Sequence, residues 1–248
     1  GNEIRLEHHQ PPPRQRGGPP RGDTGAFLEA HGAVVVKPVD GEQGNGVAVN
    51  LGTLEELDQA IEQARRFDSR VLLESFHEGL DLRIVVIGFE VVAAAIRHPA
   101  EVIGDGLHSI GALIEGQSRR RQAATGGESR IPLDGETQRT LHAAGVDYDT
   151  VLAAGQHLAV RRTANLHTGG CLEDVTERLH PTLADAAIQA ARALDIPVVG
   201  LDLMVRAADQ PDYVFIEANE RVGLANHEPQ PVAERFVDLL FPHSRSTP

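Results

Sequence analysis

Long apolar runs are missing from this 248-residue sequence. Nothing approaches the ~20 residues that cross a bilayer, and Gly1-Asn2-Glu3-Ile4-Arg5 lacks the basic-then-apolar order of a secretion signal. Membrane partnership is not expected; a cytoplasmic location is. Cysteine is nearly absent too. Cys171 alone allows no internal disulfide and no multi-thiolate zinc site, and with no catalytic signature around it a small buried role is expected. Positive charge is short: 23 basic residues face 36 acidic ones, a net −13, so a sequence-independent grip on nucleic acid is not expected and a small partner is. Lysine is scarcer still. Of the 23 basic residues only Lys37 is lysine, and it adjoins a glycine-rich stretch. Lysine offers a point charge where arginine offers a planar fork, so the two are not exchangeable at a phosphate site.

What is present divides the chain. Residues 1–22 hold five prolines and four arginines and read as a Pro/Gly/Arg-rich linker. Two subdomains follow, 23–76 around the glycine loop and 77–242 behind it, with a tail at 243–248; 122–160 reads as an irregular insertion or lid. Strands are predicted at 33–36, 46–49, 71–74, 82–87, 91–96, 198–205 and 213–218, with a hairpin turn at Gly88-Phe89-Glu90. Helices are predicted from the capping box Thr53-Leu54-Glu55-Glu56, from Ile110, Leu113 and Ile114 to a solvated end in the basic run Arg119-Arg120-Arg121, at 183–194 stopped by Pro197, and last around Val232, Phe236, Leu239 and Leu240. Strands outnumber crossover helices, which predicts an antiparallel-rich α+β fold.

Two constellations carry chemistry. Lys37-Pro38-Val39-Asp40-Gly41-Glu42-Gln43-Gly44-Asn45-Gly46 joins two predicted strands, so it is neither a Walker loop nor a Rossmann turn. Its glycines let backbone N–H groups fold onto a polyphosphate that the lysine also reaches. A plain glycine hairpin is the other reading. In the second, Glu217 and Asn219 are two apart on one strand and project to the same face; Asp202 joins them if its strand is the hairpin partner. Two carboxylates and an amide oxygen make a hard ligand set for Mg²⁺. Their alternative is a polar strand end. The twelve histidines show no metal-binding spacing, and only His227, beside this turn, stands out.

Lys37-Pro38 with the glycine loop, Glu74, Gly79-Leu80-Asp81-Leu82-Arg83, and Asp202 followed by Glu217-x-Asn219 together resemble the ATP-grasp carboxylate–amine ligases over residues 26–242. Gly104-Asp105-Gly106-Leu107-His108-Ser109-Ile110, Asn165-Leu166-His167-Thr168-Gly169-Gly170 and Asp174-Val175-Thr176 are similar to the cyanophycin and glutathione synthetase-like branch. The stretches 126–134 and 223–231 look like the N-acetylglutaminylglutamine synthetases, which make an osmolyte dipeptide.

The resemblance implies two α+β subdomains enclosing a nucleotide, ATP with two Mg²⁺ ions as cofactors, and ADP-forming peptide-bond ligation through an acyl phosphate on glutamine-type amino-acid or dipeptide substrates. By position it implies Lys37 on the α- and β-phosphates and Gly41, Glu42, Gln43, Gly44, Asn45 and Gly46 over the triphosphate. Glu74, Ser75 and Phe76 would be the adenine hinge, Asp81 lies on the ribose side and Asn165 near the phosphates. Asp202, Glu217 and Asn219 would hold metal, and Arg83, Arg161 and Arg162 are the arginines for acyl-phosphate charge. Three departures accompany it. The family's other phosphate-binding lysine has no counterpart here, which implies an upstream domain of a longer chain or a module that binds without turnover. Gly200 stands where some relatives carry an arginine, and Val222 where proline is usual. Assembly into an oligomer stays open, and an RNA-binding reading through 1–22 and Arg119–Arg121 is the remaining alternative.

Overall fold

The computed structural model describes residues 21–40, 45–220, 222 and 232–242, the first three without side chains. The linker segment, apart from Arg21 and Gly22, lies outside them, as do Gly41 to Gly44, His227 and the tail. The described residues fall into two units, one from 21–77, 103–112 and 132–163, the other from 78–102, 113–131 and 164–242.

In the first unit α1 (Arg21–His31) precedes a three-stranded sheet of order β2-β1-β3, with β1 Val34–Pro38, β2 Ala48–Leu51 and β3 Val71–Ser75, both pairings antiparallel. Between β2 and β3, α2 (Leu54–Ala64) starts where the capping box places it. Thr53 Oγ1 accepts the Glu56 N–H at 3.2 Å while Glu56 Oε2 accepts the Thr53 N–H at 3.1 Å. Leu57, Ala60, Ile61 and Ala64 bury their helical stripe against Val34, Val36, Leu51 and Leu73.

The segment expected to be irregular contains α4 (Gly135–Ala143), N-capped by Asp134, and the short β7 (His157–Ala159), paired with β6 (Glu101–Ile103). Turn residues at 126–135 obscured that helix, whose buried face is polar, with Glu136, Thr137 and Thr140.

The second unit is built on a five-stranded sheet of order β10-β9-β4-β5-β8, antiparallel throughout: β4 Leu80–Ile87, β5 Glu90–His98, β8 Cys171–Asp174, β9 Val198–Val205 and β10 Tyr213–Asn219. Gly88 and Phe89, both at positive φ, make the expected turn. One face packs Leu82, Ile84, Val86, Ile96, Leu201 and Leu203 on Leu183, Ala187 and Ala191 of α5 (Pro181–Leu194). Pro181 opens that helix, and left-handed Asp195 at φ 56°, not Pro197, ends it.

The opposite face is split. Val85, Ile87 and Ala93 lie under Val232 and Phe236 of α6 (Val232–Leu240), and its remainder is charged.

Two further expectations are corrected. α3 runs from Ile110 to Ala124, three residues beyond the basic run expected to end it, and Arg121, expected to be solvated, donates to the Gly170 carbonyl at 3.0 Å. Cys171 is exposed, because it begins β8, the edge strand, where no outer neighbour covers it.

Candidate functional site

The charged half of the second unit's sheet follows from register. Arg83 on β4 stands opposite Asp202 on β9, and Asp81 opposite Arg97 on β5. On the other side of β9, Glu217 stands opposite Asp202 and Asn219 opposite Gly200. Alternation places all of these on the face away from α5. A β-bulge decides the last pairing: Phe215 faces Leu203 and packs into the α5 core, Ile216 is the extra residue, and Glu217 emerges on the polar face.

Asp202 is the buried hub, 4% exposed, and the one charged residue of an otherwise apolar β9. Arg97 reaches over β4 to place Nη2 at 3.1 Å from Asp202 Oδ2, while Nε and Nη2 also donate to Asp81 Oδ1 at 2.9 and 2.7 Å. Arg83 Nε lies 2.8 Å from Asp202 Oδ1, an ion-pair distance, yet that oxygen accepts no hydrogen bond. Asn219 Nδ2 donates to Asp202 Oδ2 at 3.2 Å and to Glu217 Oε1 at 3.0 Å, so an amide lies between the two carboxylates. Burial pushes the Asp202 carboxyl up to about 6 against the pull of Arg97 and Arg83, and burial likewise raises Asp81. Burial works against the Arg97 charge, but Asp202 and Asp81 more than restore it, leaving it above the ordinary arginine value.

Asp202, Glu217 and Asn219 are therefore neighbours, and the buried Asp202 Oδ1, lacking a donor, is an oxygen a hard cation could engage. The set fits Mg²⁺, which takes few protein oxygens and keeps sites for phosphate and water. Among the described residues no three His, Cys, Asp or Glu side chains gather into a cation cage, so an ion here would rest on two carboxylates and an amide.

In the first unit Lys37 Nζ lies 2.9 Å from Glu74 Oε1, both side chains largely buried, because Lys37 on β1 and Glu74 on β3 are diagonal neighbours. Phe76 spends its N–H on the Ala33 carbonyl, and Ser75 Oγ lies 2.9 Å from His77 Nε2. Asn45 and Gly46 end the glycine loop at a tight approach: a methyl group on Gly46 would come within 2.7 Å of the Phe67 ring, and its φ of 74° favours glycine as well.

Arg161 is buried and pairs with buried Glu136 and exposed Asp134, and its Nε has no partner; Arg162 is exposed. Glu136 Oε1 accepts the N–H groups of Arg162 and Thr163 at 3.0 and 2.8 Å. In the second unit Asn165 uses Oδ1 on the His167 N–H, and its carbonyl accepts from Thr168 and Gly170, a closed turn. Sequence reasoning passed over Arg97, although an Asp81–Arg97 pairing across a recognised hairpin is a signal it could have used.

Residues 145–233 match the RimK-like ATP-grasp domain. Over 226 residues the chain is 32% identical to cyanophycin synthetase of Trichormus variabilis, covering 86% of this chain and 25% of that protein. It is 30% identical to the glutathione biosynthesis bifunctional protein GshAB of Clostridium perfringens, covering 84% of this chain and 29% of the relative. Among solved structures, a bifunctional glutathione synthetase from Pasteurella multocida superposes with a TM-score of 0.55 at 26% identity, over 90% of this chain and 32% of that one. The fold is ATP-grasp. D-alanine–D-alanine ligase from Bacillus anthracis shares it, at TM-score 0.53 and 15% identity over 91% of this chain and 58% of the ligase. The ATP-grasp chain described here spans about a quarter of the length of the curated relatives it matches.

Proposed function

We propose that this chain is the ATP-using part of an ADP-forming peptide-bond ligase, acting through an acyl phosphate on glutamine-type substrates, as in N-acetylglutaminylglutamine synthesis. One observation carries the ligase reading: an arginine, two carboxylates and an amide converge on one half-face of the second unit's sheet, around a buried carboxylate oxygen that accepts no hydrogen bond. The substrate class rests on the likeness of 126–134 and 223–231 to the N-acetylglutaminylglutamine synthetases.

Each unit contributes its own residues. In the first, 23–76 holds the nucleotide: Lys37 takes the α- and β-phosphates in exchange for Glu74, the glycine loop from Gly41 to Gly46 covers the triphosphate, and Glu74 to Phe76 seats adenine. In the second, Asp202, Glu217 and Asn219 would hold two Mg²⁺ ions, whose chemistry when bound is to neutralise charge on the transferring phosphoryl group. Arg83 faces that charge with a guanidinium tied at Nε only, whereas Arg161 is occupied by Glu136 and Asp134. Asp81 orients Arg97, and through it Asp202. Exclusion of water keeps the acyl phosphate for the amine.

Incubation with Mg-ATP, a glutamine-type acyl donor and a glutamine-type amine is the test. ADP release that requires both substrates, with a new amide in the product, is the expected result. The single lysine favours a second reading, nucleotide binding without turnover, which predicts thermal stabilisation by Mg-ATP and no ADP.

A further inference from the structure

Gly200 lies mid-strand in β9, where glycine is ordinarily a poor choice. Its backbone does not demand it, since Gly200 is not among the positive-φ glycines. A neighbour uses the space it leaves. A methyl group there would come within 2.2 Å of Arg83 Nη1, 3.2 Å of Cζ and 3.4 Å of Cδ. Arg83 thus lays its guanidinium across β9 in the space that a side chain at position 200 would fill, with Nε beside Asp202. Arg97 next to it commits Nε and Nη2 to Asp81 and Asp202, whereas among the described residues the terminal nitrogens of Arg83 make no hydrogen bond. A guanidinium on a side chain only 15% exposed, with two terminal nitrogens that make no hydrogen bond among the described residues, beside a carboxylate–amide trio is a seat for an anion.

We propose that Gly200 is a positioning residue: by carrying no side chain it seats the Arg83 guanidinium over β9, with both terminal nitrogens left for a phosphate oxygen of the nucleotide. The inference rests on the nucleotide-ligase reading above and adds to it the residue that builds the anion seat.

The test compares the parent, Gly200→Ala, Arg83→Lys and the double variant, using the non-hydrolysable Mg-AMPPNP as probe in calorimetry together with thermal unfolding and a crystal structure of Gly200→Ala. Strand preference alone would leave Gly200→Ala as stable as the parent or more so. The expected result is a displaced Arg83 guanidinium and an affinity lower by about tenfold, the scale of one lost charged hydrogen bond. Arg83→Lys keeps the charge without the fork and loses a similar factor. The double variant binds within about twofold of Arg83→Lys alone, because the steric conflict has already been removed.

An unmoved guanidinium, an unchanged affinity in Gly200→Ala, or losses that multiply in the double variant overturn the proposal. Should Gly200→Ala not fold by itself, recovery of folding on adding Arg83→Lys supports the steric coupling, and no recovery overturns it. Nucleotide affinity that follows this pattern without ADP release from Mg-ATP and substrates sinks the ligase reading and leaves the role of Gly200 standing. A parent that does not bind Mg-AMPPNP removes both.

Discussion

Lys37 meets Glu74 at 2.9 Å across two strands of the first unit's sheet, so a polyphosphate must displace a carboxylate to reach the ammonium. The exchange favours a compact, strongly charged ligand and suits a point charge on a flexible stem. Lys37→Arg is expected to lower ATP affinity although the charge is kept, and equal affinity in calorimetry would count against the phosphate role. A second residue gives a pH signature away from the site. Asp105 accepts the N–H groups of Leu107 and His108 at 2.9 and 2.8 Å and pairs with the His108 ring at 2.6 Å. The His108 backbone N–H first, then its ring, hold the carboxyl well below the usual range. A carboxyl lowered on folding contributes stability that is present above its unfolded value of 3.8 and lost as pH falls through the lowered one. The melting temperature of Asp105→Asn should therefore trail the parent's at pH 7 and approach it as the pH falls below about 4; a constant gap would contradict this.

At the scale of elements, α4 is secured through one buried acid. Glu136 binds Arg161 with one oxygen and, with the other, the backbone of Arg162 and Thr163. Glu136→Gln would leave the buried Arg161 charge with only the exposed Asp134 carboxylate as its counter-ion, a loss expected to reach about 3 kcal/mol by denaturant unfolding. A loss under about 1 kcal/mol would show that Asp134 alone suffices. Legibility in the sequence also sorts by element. The start of α2 could be read because its cap and stripe are local, and the β9–β10 hairpin because Asp202, Glu217 and Asn219 end apolar runs. Arg97 was within reach, because the three-residue turn expected at 88–90 pairs Ile87 with Val91 and so Asp81 with Arg97. The structure arrives at that pairing by another route, with Ile87 opposite Glu90 and a bulge between Val85 and Val86. The extra residue at Ile216 is what the sequence hides, since a bulge leaves little trace in composition or periodicity.

For the whole molecule, the ATP-grasp fold came through a series of weak motifs in the right order, while the two-unit division draws on segments separated in sequence. Residues 103–112 and 132–163 group with the N-terminal sheet's unit, a long-range arrangement that no local pattern encodes. Metal dependence is the property to measure at this scale. Mg-ATP should raise the melting temperature of the chain by mass action, and Glu217→Gln should remove most of the Mg²⁺-dependent part while sparing the metal-free stability. If Glu217→Gln keeps the full Mg²⁺ effect, the ligand set is different.

The extra residue at Ile216 has a consequence for anyone who edits or transplants this strand. It acts as a parity switch: before it, odd-numbered Phe215 points into the α5 core, and after it odd-numbered Glu217 points to the opposite side. A copy of residues 213–219 laid out as an ideal strand would obey strict alternation and put Phe215 and Glu217 on one side. Either the aromatic ring would then join the charged cluster or the carboxylate would enter the core, whereas a parent chain lacking Ile216 would keep the two on opposite sides by plain alternation.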